Sequence, residues 1–282
     1  MAYPSDPMTG TTLAVYRPNI WSKEVLAARE ATLVLVPRIK HYDRDIKSAG
    51  QTVEIPNLSN LTANLKVAGT AVTLNNPTET KTTITINQHY ESSFMLEDFA
   101  DIQSAYDASG EYTQKTGYAL AEKMDATVVT CLTDNATYSA GAFGTALNDT
   151  TILVANRYLD EAKAPMNERT FAVTPTGKQQ MLAIDKYVRY DALGTGAGIV
   201  NGKIGTIYGL DVVMSQNLRV TAATPVQNNN LLFHKEAAAI AVQQDIKFAS
   251  QRKEEYMAEL FVASSLWGIK ILRADHAVVV KC

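Results

Sequence analysis

The sequence predicts an α+β fold, in which one long helix sits among period-two strands without the regular strand–helix–strand alternation of a parallel sheet. Two observations carry most of this. In residues 49–58 (AGQTVEIPNL) and 81–88 (KTTITINQ), Val53 and Ile55, then Ile84 and Ile86, alternate with polar neighbours as half-buried strands do. In residues 111–132 (EYTQKTGYALAEKMDATVVTCL), Leu120, Met124, Val128 and Cys131 or Leu132 recur at helical spacing, which leaves Glu122, Lys123 and Asp125 to face away.

Taken in order, the first twenty residues have no periodic pattern and read as an arm that needs another surface to be ordered. Residues 21–36 (WSKEVLAAREATLVLV) read as a short helix and an extended piece, ended by Pro37. Between the two alternating strands lie some two dozen Thr- and Asn-rich residues, with turn signals at Ala68-Gly69 and Asn75-Asn76-Pro77. At roughly 3.3 Å per residue, arms of about fifteen residues reach about 50 Å. A two-stranded ribbon of that length does not hold itself in water, so it must fold back on its own domain or rest on a neighbouring copy.

The long helix, with Asp107 as a cap near its start, covers about 33 Å at 1.5 Å per residue. Turns at Gly141 and Gly144 lead to a second helix over residues 150–165, a short buried strand at 169–174, and a third helix opened by Pro175. A glycine-rich passage follows, then a strand within GLDVVMSQNL, then three apolar, β-branched stretches at 231–249, 254–273 and 276–282.

The totals exclude several classes. A chain of 282 residues with 46% hydrophobic residues can bury a normal core, and 26 basic against 29 acidic residues leave no positive field for nucleic acid or an anionic membrane. Cys131 and Cys282 make no disulfide framework and no metal spacing. No cationic leader and no run of about 18 to 20 apolar residues occurs, so no membrane partner is expected.

Motifs for chemistry are weak. Gly194-Thr195-Gly196-Ala197-Gly198 resembles a dinucleotide fingerprint, but it follows KYVRYDA, which is no buried strand, and leads into a stretch too rich in glycine to open a helix. No GxxxxGK[ST] is present. His41, His89, His234 and His276 are far apart in sequence with no carboxylate at ligand spacing. Glu97-Asp98 and Glu254-Glu255 are adjacent, and adjacent carboxylates on a strand point to opposite faces. Ser264-Ser265 lacks a GxSxG elbow. Lys186-Tyr187-Val188-Arg189-Tyr190 is the one basic-aromatic run, short for a nucleic-acid site. The expectation is no enzyme, no cofactor and no metal.

The order of phrases is more specific than any one of them. IWSKEVL, GQTVEIP, TITINQHYESSFMLEDFADIQSAYD, ALAEKMDATVV, FAVTP, IGTIYGLDVVMSQNL and WGIKILRADHAVVV, in this order, resemble a tailed-bacteriophage major capsid protein over nearly the whole chain from Trp21 onward. IGTIYGLDVVMSQNL is the most characteristic of them.

The resemblance implies the tailed-phage capsid fold: an N-terminal arm at 1–32, an extended β-hairpin loop at 47–88, a peripheral domain with a long spine helix at 33–46, 89–140 and 231–271, and an axial domain at 141–230 and 272–282. It implies a shell subunit that meets copies of itself in hexamers and pentamers and encloses double-stranded DNA without sequence-specific binding. Assembly would take place in the host bacterial cytoplasm, with a portal, a decoration protein and a scaffolding protein as partners. With no long segment ahead of the arm, that scaffold is expected to be a separate protein or absent. Candidate interface residues are Lys66 and Lys81 in the loop and Arg252, Lys253 and Glu254 in a charged turn at 250–255. Some relatives cross-link a loop lysine to an asparagine, but no partner for such a bond is legible here. Gly205 and Gly209, which bracket Thr206-Ile207-Tyr208, are expected as backbone-turn glycines. An encapsulin-type compartment and a glycine-loop nucleotide-binding enzyme remain as alternatives.

Overall fold

The computed structural model describes residues 33–43, 46, 50–98, 108–184 and 205–282. The expected arm, the Asp107 cap, the 186–190 run and the 194–198 glycines lie outside them.

Two sheets and a ribbon organise the described chain. The first sheet has the order β1 (Lys40–His41), β11 (Ala238–Lys253), β12 (Ala258–Ile271), β4 (Gln88–Glu97). The second has the order β5 (Tyr138–Ala140), β13 (Ala277–Lys281), β10 (Gln227–His234), β6 (Arg169–Val173), β8 (Leu210–Met214), β7 (Thr206–Ile207), with β9 (Val220–Thr221) on β10. The ribbon pairs β2 (Thr52–Asn57) with β3 (Thr80–Thr85). The helices are α1 (Ala108–Asn135), α2 (Asp149–Glu161) and α3 (Pro175–Leu182).

Side-chain alternation on the second sheet explains why its strands are apolar throughout. Leu231, Phe233, Ala277, Val279 and Ala172 point to the core that holds Met124, Val128, Val129 and Leu132 of α1. Their neighbours Leu232, Val278, Val280, Phe171 and Val173 point to the core that holds Ile152, Ala155 and Leu159 of α2. A sheet covered on both faces needs apolar residues at both parities. The first sheet continues the α1 core through Ile240 and Trp267, so the spine helix binds the two sheets together.

Local signals set the smaller helices. Asn148 caps α2 by accepting from the amide of Thr151 at 2.8 Å. Thr174 caps α3 by accepting from the amide of Gly177 at 3.0 Å, with Pro175 in the first turn, where its missing N–H costs nothing.

Several expectations need correction. The spine helix has 28 residues, about 42 Å at 1.5 Å per residue, because it extends past both ends of its apolar stripe. Strand β3 stops at Thr85, and β4, not foreseen as an element, begins at Gln88; Tyr90, Phe94 and Leu96 at period two were the available signal, and exposure alternates along the strand accordingly. Asp125 does not face away. It is fully buried, because the segment at 35–36 and the turn carrying Asn217 close over that side of α1. Residues 227–234 form one unbroken strand, β10. Residues 250–253 belong to β11, and Glu254–Tyr256 form a 3-10 turn, so the Glu254-Glu255 pair is not on a strand.

Candidate assembly surfaces

The extended loop has a held base and an open tip. At its base Val53, Ile84 and Ile86 pack with Ile46, Ala239 and Ala241, on the face of the first sheet opposite α1. Backbone and side-chain hydrogen bonds add to this: Ile86 N–H donates to Gln51 O at 2.9 Å and Gln243 Nε2 to Gly50 O at 3.0 Å. Beyond Asn57 the apolar side chains are uncovered among the described residues, and Leu65 and Leu74 are 94% and 85% exposed. Leu58, Leu61, Val67 and Val72 are exposed as well. Of the two outcomes expected for this ribbon, the base takes the first, folding back on its own domain, and the tip does not.

Polar contacts shape the tip. Asn75 Oδ1 accepts from Thr62 Oγ1 and Asn64 Nδ2, each at 3.2 Å, which ties the two arms together. The Lys66 ammonium donates to the carbonyls of Val67 (2.9 Å) and Thr70, closing the terminal turn over Gly69. Lys81 pairs across the ribbon with Glu54 at 2.7 Å. Both loop lysines therefore have partners inside the subunit.

The distal end of the first sheet carries the second group of candidates. Arg252 makes a bidentate pair with Asp98, Nη1 to Oδ1 and Nη2 to Oδ2 both at 2.6 Å, and its Nε is 3.8 Å from Glu254. The hydrogen bonds from Arg252 hold the Asp98 carboxyl below its ordinary range, and those to Asp98 raise the guanidinium in turn. Arg252 thus ties the end of β11 to the end of β4 within one chain. Lys253 sits at the end of β11, half-buried, and Tyr256 and Met257 beyond it are exposed.

Gly205 and Gly209 have φ of 70° and 77°, and Tyr208 has 51°. Tyr208-Gly209 joins β7 to β8 in a two-residue turn whose left-handed geometry matches the twist of a hairpin. The Tyr208 hydroxyl lies 2.7 Å from Asp149 at the start of α2.

Sequence reasoning missed two buried polar clusters. Asp125 Oδ1 accepts from the amides of Leu35 and Val36, and its Oδ2 accepts from Asn217 Nδ2 at 3.1 Å. Burial raises its carboxyl above the ordinary value, against the opposing hydrogen bonds. His234 and His276, read as distant, are both buried with ring centroids 5.8 Å apart, edge to face. Each follows or precedes a crossing between the sheets, β10 to β11 and β12 to β13, and that topology brings them together. Among the described residues no group of three or more His, Cys, Asp or Glu side chains could hold a metal ion. Ser265, buried, donates its hydroxyl to Gln244 O at 2.9 Å across the bulge in β11 and so serves the strand pairing. Among the described residues no helix is long and apolar enough to cross a membrane.

A subunit with a long anchored ribbon, an uncovered apolar tip and a charged distal turn has the form of a protein that works by contact with copies of itself. A family model described as phage capsid protein matches residues 43–282, and the chain belongs to that family. It is a major capsid protein, a shell-forming subunit of the virion. A comparison with curated protein sequences finds no match. Among solved structures, the chain is similar to one from Mycobacterium phage Che8, with 26% identity, a TM-score of 0.82, and 94% of this chain and 97% of that chain covered. It is similar in fold to the capsid of cyanophage P-SCSP1u, at 21% identity and a TM-score of 0.80, covering 99% of this chain and 98% of that one. The head of Helicobacter pylori bacteriophage KHP40 shares the fold at 12% identity and a TM-score of 0.78, covering 100% and 99%.

Proposed function

We propose that the chain assembles as hexamers and pentamers into the icosahedral shell that encloses the double-stranded DNA of a tailed phage, and that it catalyses no reaction. The observation that carries this is the extended loop, whose base is packed on its own subunit while six apolar side chains of its tip stand in solvent. Ordering such a tip without covering it is unfavourable, and a neighbouring copy is the surface that a closed shell supplies at every position. Contacts that are weak singly hold a large particle because each is repeated around the lattice. The near-balanced charge, -3 overall, fits a container whose DNA is driven in and not gripped by the wall.

Strand pairing supports a peripheral part made of the first sheet with α1, and an axial part made of the second sheet with α2 and α3. On this reading the hairpin at Tyr208-Gly209 belongs to the axial part, and the turn beside Lys253 and Glu254 meets neighbouring subunits. A scaffolding protein, a portal and a decoration protein are the further partners of this reading, and assembly takes place in the host cytoplasm. The test is to express the chain alone and inspect it by size-exclusion chromatography and negative-stain microscopy. Closed shells, capsomer rings or tubes are expected. A monomer or dimer that stays so when crowded or given scaffold would overturn the proposal.

A further inference from the structure

Where the loop base crosses it, the first sheet is large on one face and small on the other. Toward α1 point Ile240, Val242, Trp267 and Ile269, while at the loop base the alternate positions are Ala239 and Ala241 of β11 and Gly268 of β12, the last set between Leu266 and Lys270. Ala241 and Gly268 are direct cross-strand partners, so the smallest pair of the sheet lies under the chain that joins β3 to β4. A Cβ added at Gly268 would run into the carbonyl of Thr85 and lie 2.9 Å from Ile86 Cα. Both are backbone atoms, which no rotamer change can move aside. Gly268 is not in the left-handed region, so any residue could adopt its conformation; the demand for glycine comes from space alone.

We propose that Gly268 is a positioning residue: it seats the Thr85-Ile86 backbone and thereby fixes the angle at which the extended loop leaves the subunit. The partner that reads this angle is a second copy of the chain, so the proposal rests on the shell-forming reading. Thr85 ends the ribbon and Gln88 begins β4 opposite Trp267, which leaves Ile86 and Asn87 as the pivot. The pivot is held from the other side by the Ile86 to Gln51 hydrogen bond. Lifting a base about 10 Å wide by about 1 Å tilts the ribbon by about 6°, and fifteen residues at about 3.3 Å carry that to about 5 Å at the tip. A displacement of that size changes which atoms of a neighbour the tip meets. Because a shell repeats the contact, it also changes the angle between subunits everywhere.

The experiment compares wild type with Gly268→Ala and with Ala241→Gly, which removes a methyl from the same seat. In a Cys131→Ser background, spin labels at Thr73→Cys on the tip and Gln114→Cys on α1 report the loop angle in dilute, unassembled subunit. Cryo-electron microscopy reports the diameter and form of the assembled particles. The expected result is a folded Gly268→Ala subunit with the label distance shifted by several ångströms, and particles of altered diameter or open sheets. Should Gly268→Ala not fold, Ala241→Gly decides, with a distance shift expected. An unchanged label distance in every folded variant overturns the proposal, and a shifted distance with particles identical to wild type overturns its link to shell geometry. Failure of the wild type itself to assemble rejects the shell reading, while the label distance still judges the seat.

Discussion

Asp125, fully buried midway along the spine helix, holds the amides of Leu35 and Val36 on a single carboxylate oxygen at 3.0 and 3.2 Å. With Asn217 on its other oxygen, it joins three segments far apart in sequence at one point of the core. Its partners among the described residues are neutral donors.

Replacing Asp125 by Ala leaves the buried amide of Leu35 and the half-buried donors of Val36 and Asn217 without their acceptor. A loss of about 2–4 kcal/mol is expected, which corresponds to a melting temperature lower by roughly 5–10 °C for a chain of this size. Thermal unfolding followed by circular dichroism checks this, and a change under 2 °C would show that water or another acceptor takes over.

The same carboxyl gives a pH signature. Its folded pKa is raised by burial, so within the window above the ordinary Asp value the folded state holds a proton that the unfolded state has released. Its contribution to stability is present at low pH and is lost as pH rises through the raised value. Asp125→Asn lacks that term, so the difference in melting temperature, variant minus wild type, should grow from pH 4 to pH 7. A difference that stays flat or shrinks would mean that the group ionises in the fold as readily as in water.

What could be read from the sequence follows from which patterns are local. The ribbon strands and the spine helix rest on alternation and periodicity within a few positions and were visible there, whereas the Asn148 and Thr174 caps, equally local, were not singled out. Asp125 was misplaced because a helical wheel sees a charge beside Glu122 and Lys123, whereas its burial is decided by Leu35 and Asn217, ninety or so positions away. The closeness of His234 and His276 depends on two sheet crossings, and Arg252 finds Asp98 through the pairing of β12 with β4. Gly268 is one glycine among 15, and only the passage of Thr85 over it gives it meaning. Long-range pairing of this kind leaves no local mark.

Burial lowers the pKa of His234, and the neighbouring His276 and Arg169 add to this against the opposing charges of Glu236 and Glu168. The folded state therefore binds fewer protons than the unfolded state just below the ordinary His value of about 6.5, and stability from this site falls as the solution is acidified through that window. In His234→Asn, an Oδ1 stands where Nδ1 accepts the Glu236 amide, so the fold is kept while the titration is lost. The fall in melting temperature between pH 7 and pH 5 should be smaller in the variant; an equal fall would place the acid sensitivity elsewhere.

At the hairpin joining β7 to β8, a Cβ on Gly209 would meet nothing within 4 Å among the described residues, so the case for glycine rests on its conformation. Gly209→Val forces a β-branched residue to a φ of 77°, at a cost of about 1–3 kcal/mol. Gly209→Asn, which tolerates that region, should recover most of it. Soluble yield and melting temperature should fall for Val and stay near wild type for Asn; equal behaviour of the two would remove the turn requirement.

The charged turn separates what holds a subunit from what holds a shell. Arg252 and Asp98 are both well exposed, so solvent screens their pair inside the chain, and Asp98→Asn should leave the subunit melting temperature close to that of wild type. Glu254, whose side chain is 86% exposed and reaches Arg252 only at 3.8 Å, has little to do within the subunit. If it meets a basic group of a neighbour, reversing its charge repeats one repulsive contact at every copy, and many small penalties add in a closed particle. Glu254→Lys should therefore leave the isolated subunit as stable as wild type while its shells come apart at lower temperature, and added salt should narrow that gap by screening. Variant shells that resist heat and salt as well as wild type would confine Glu254 to a solvated turn and remove it from the interface.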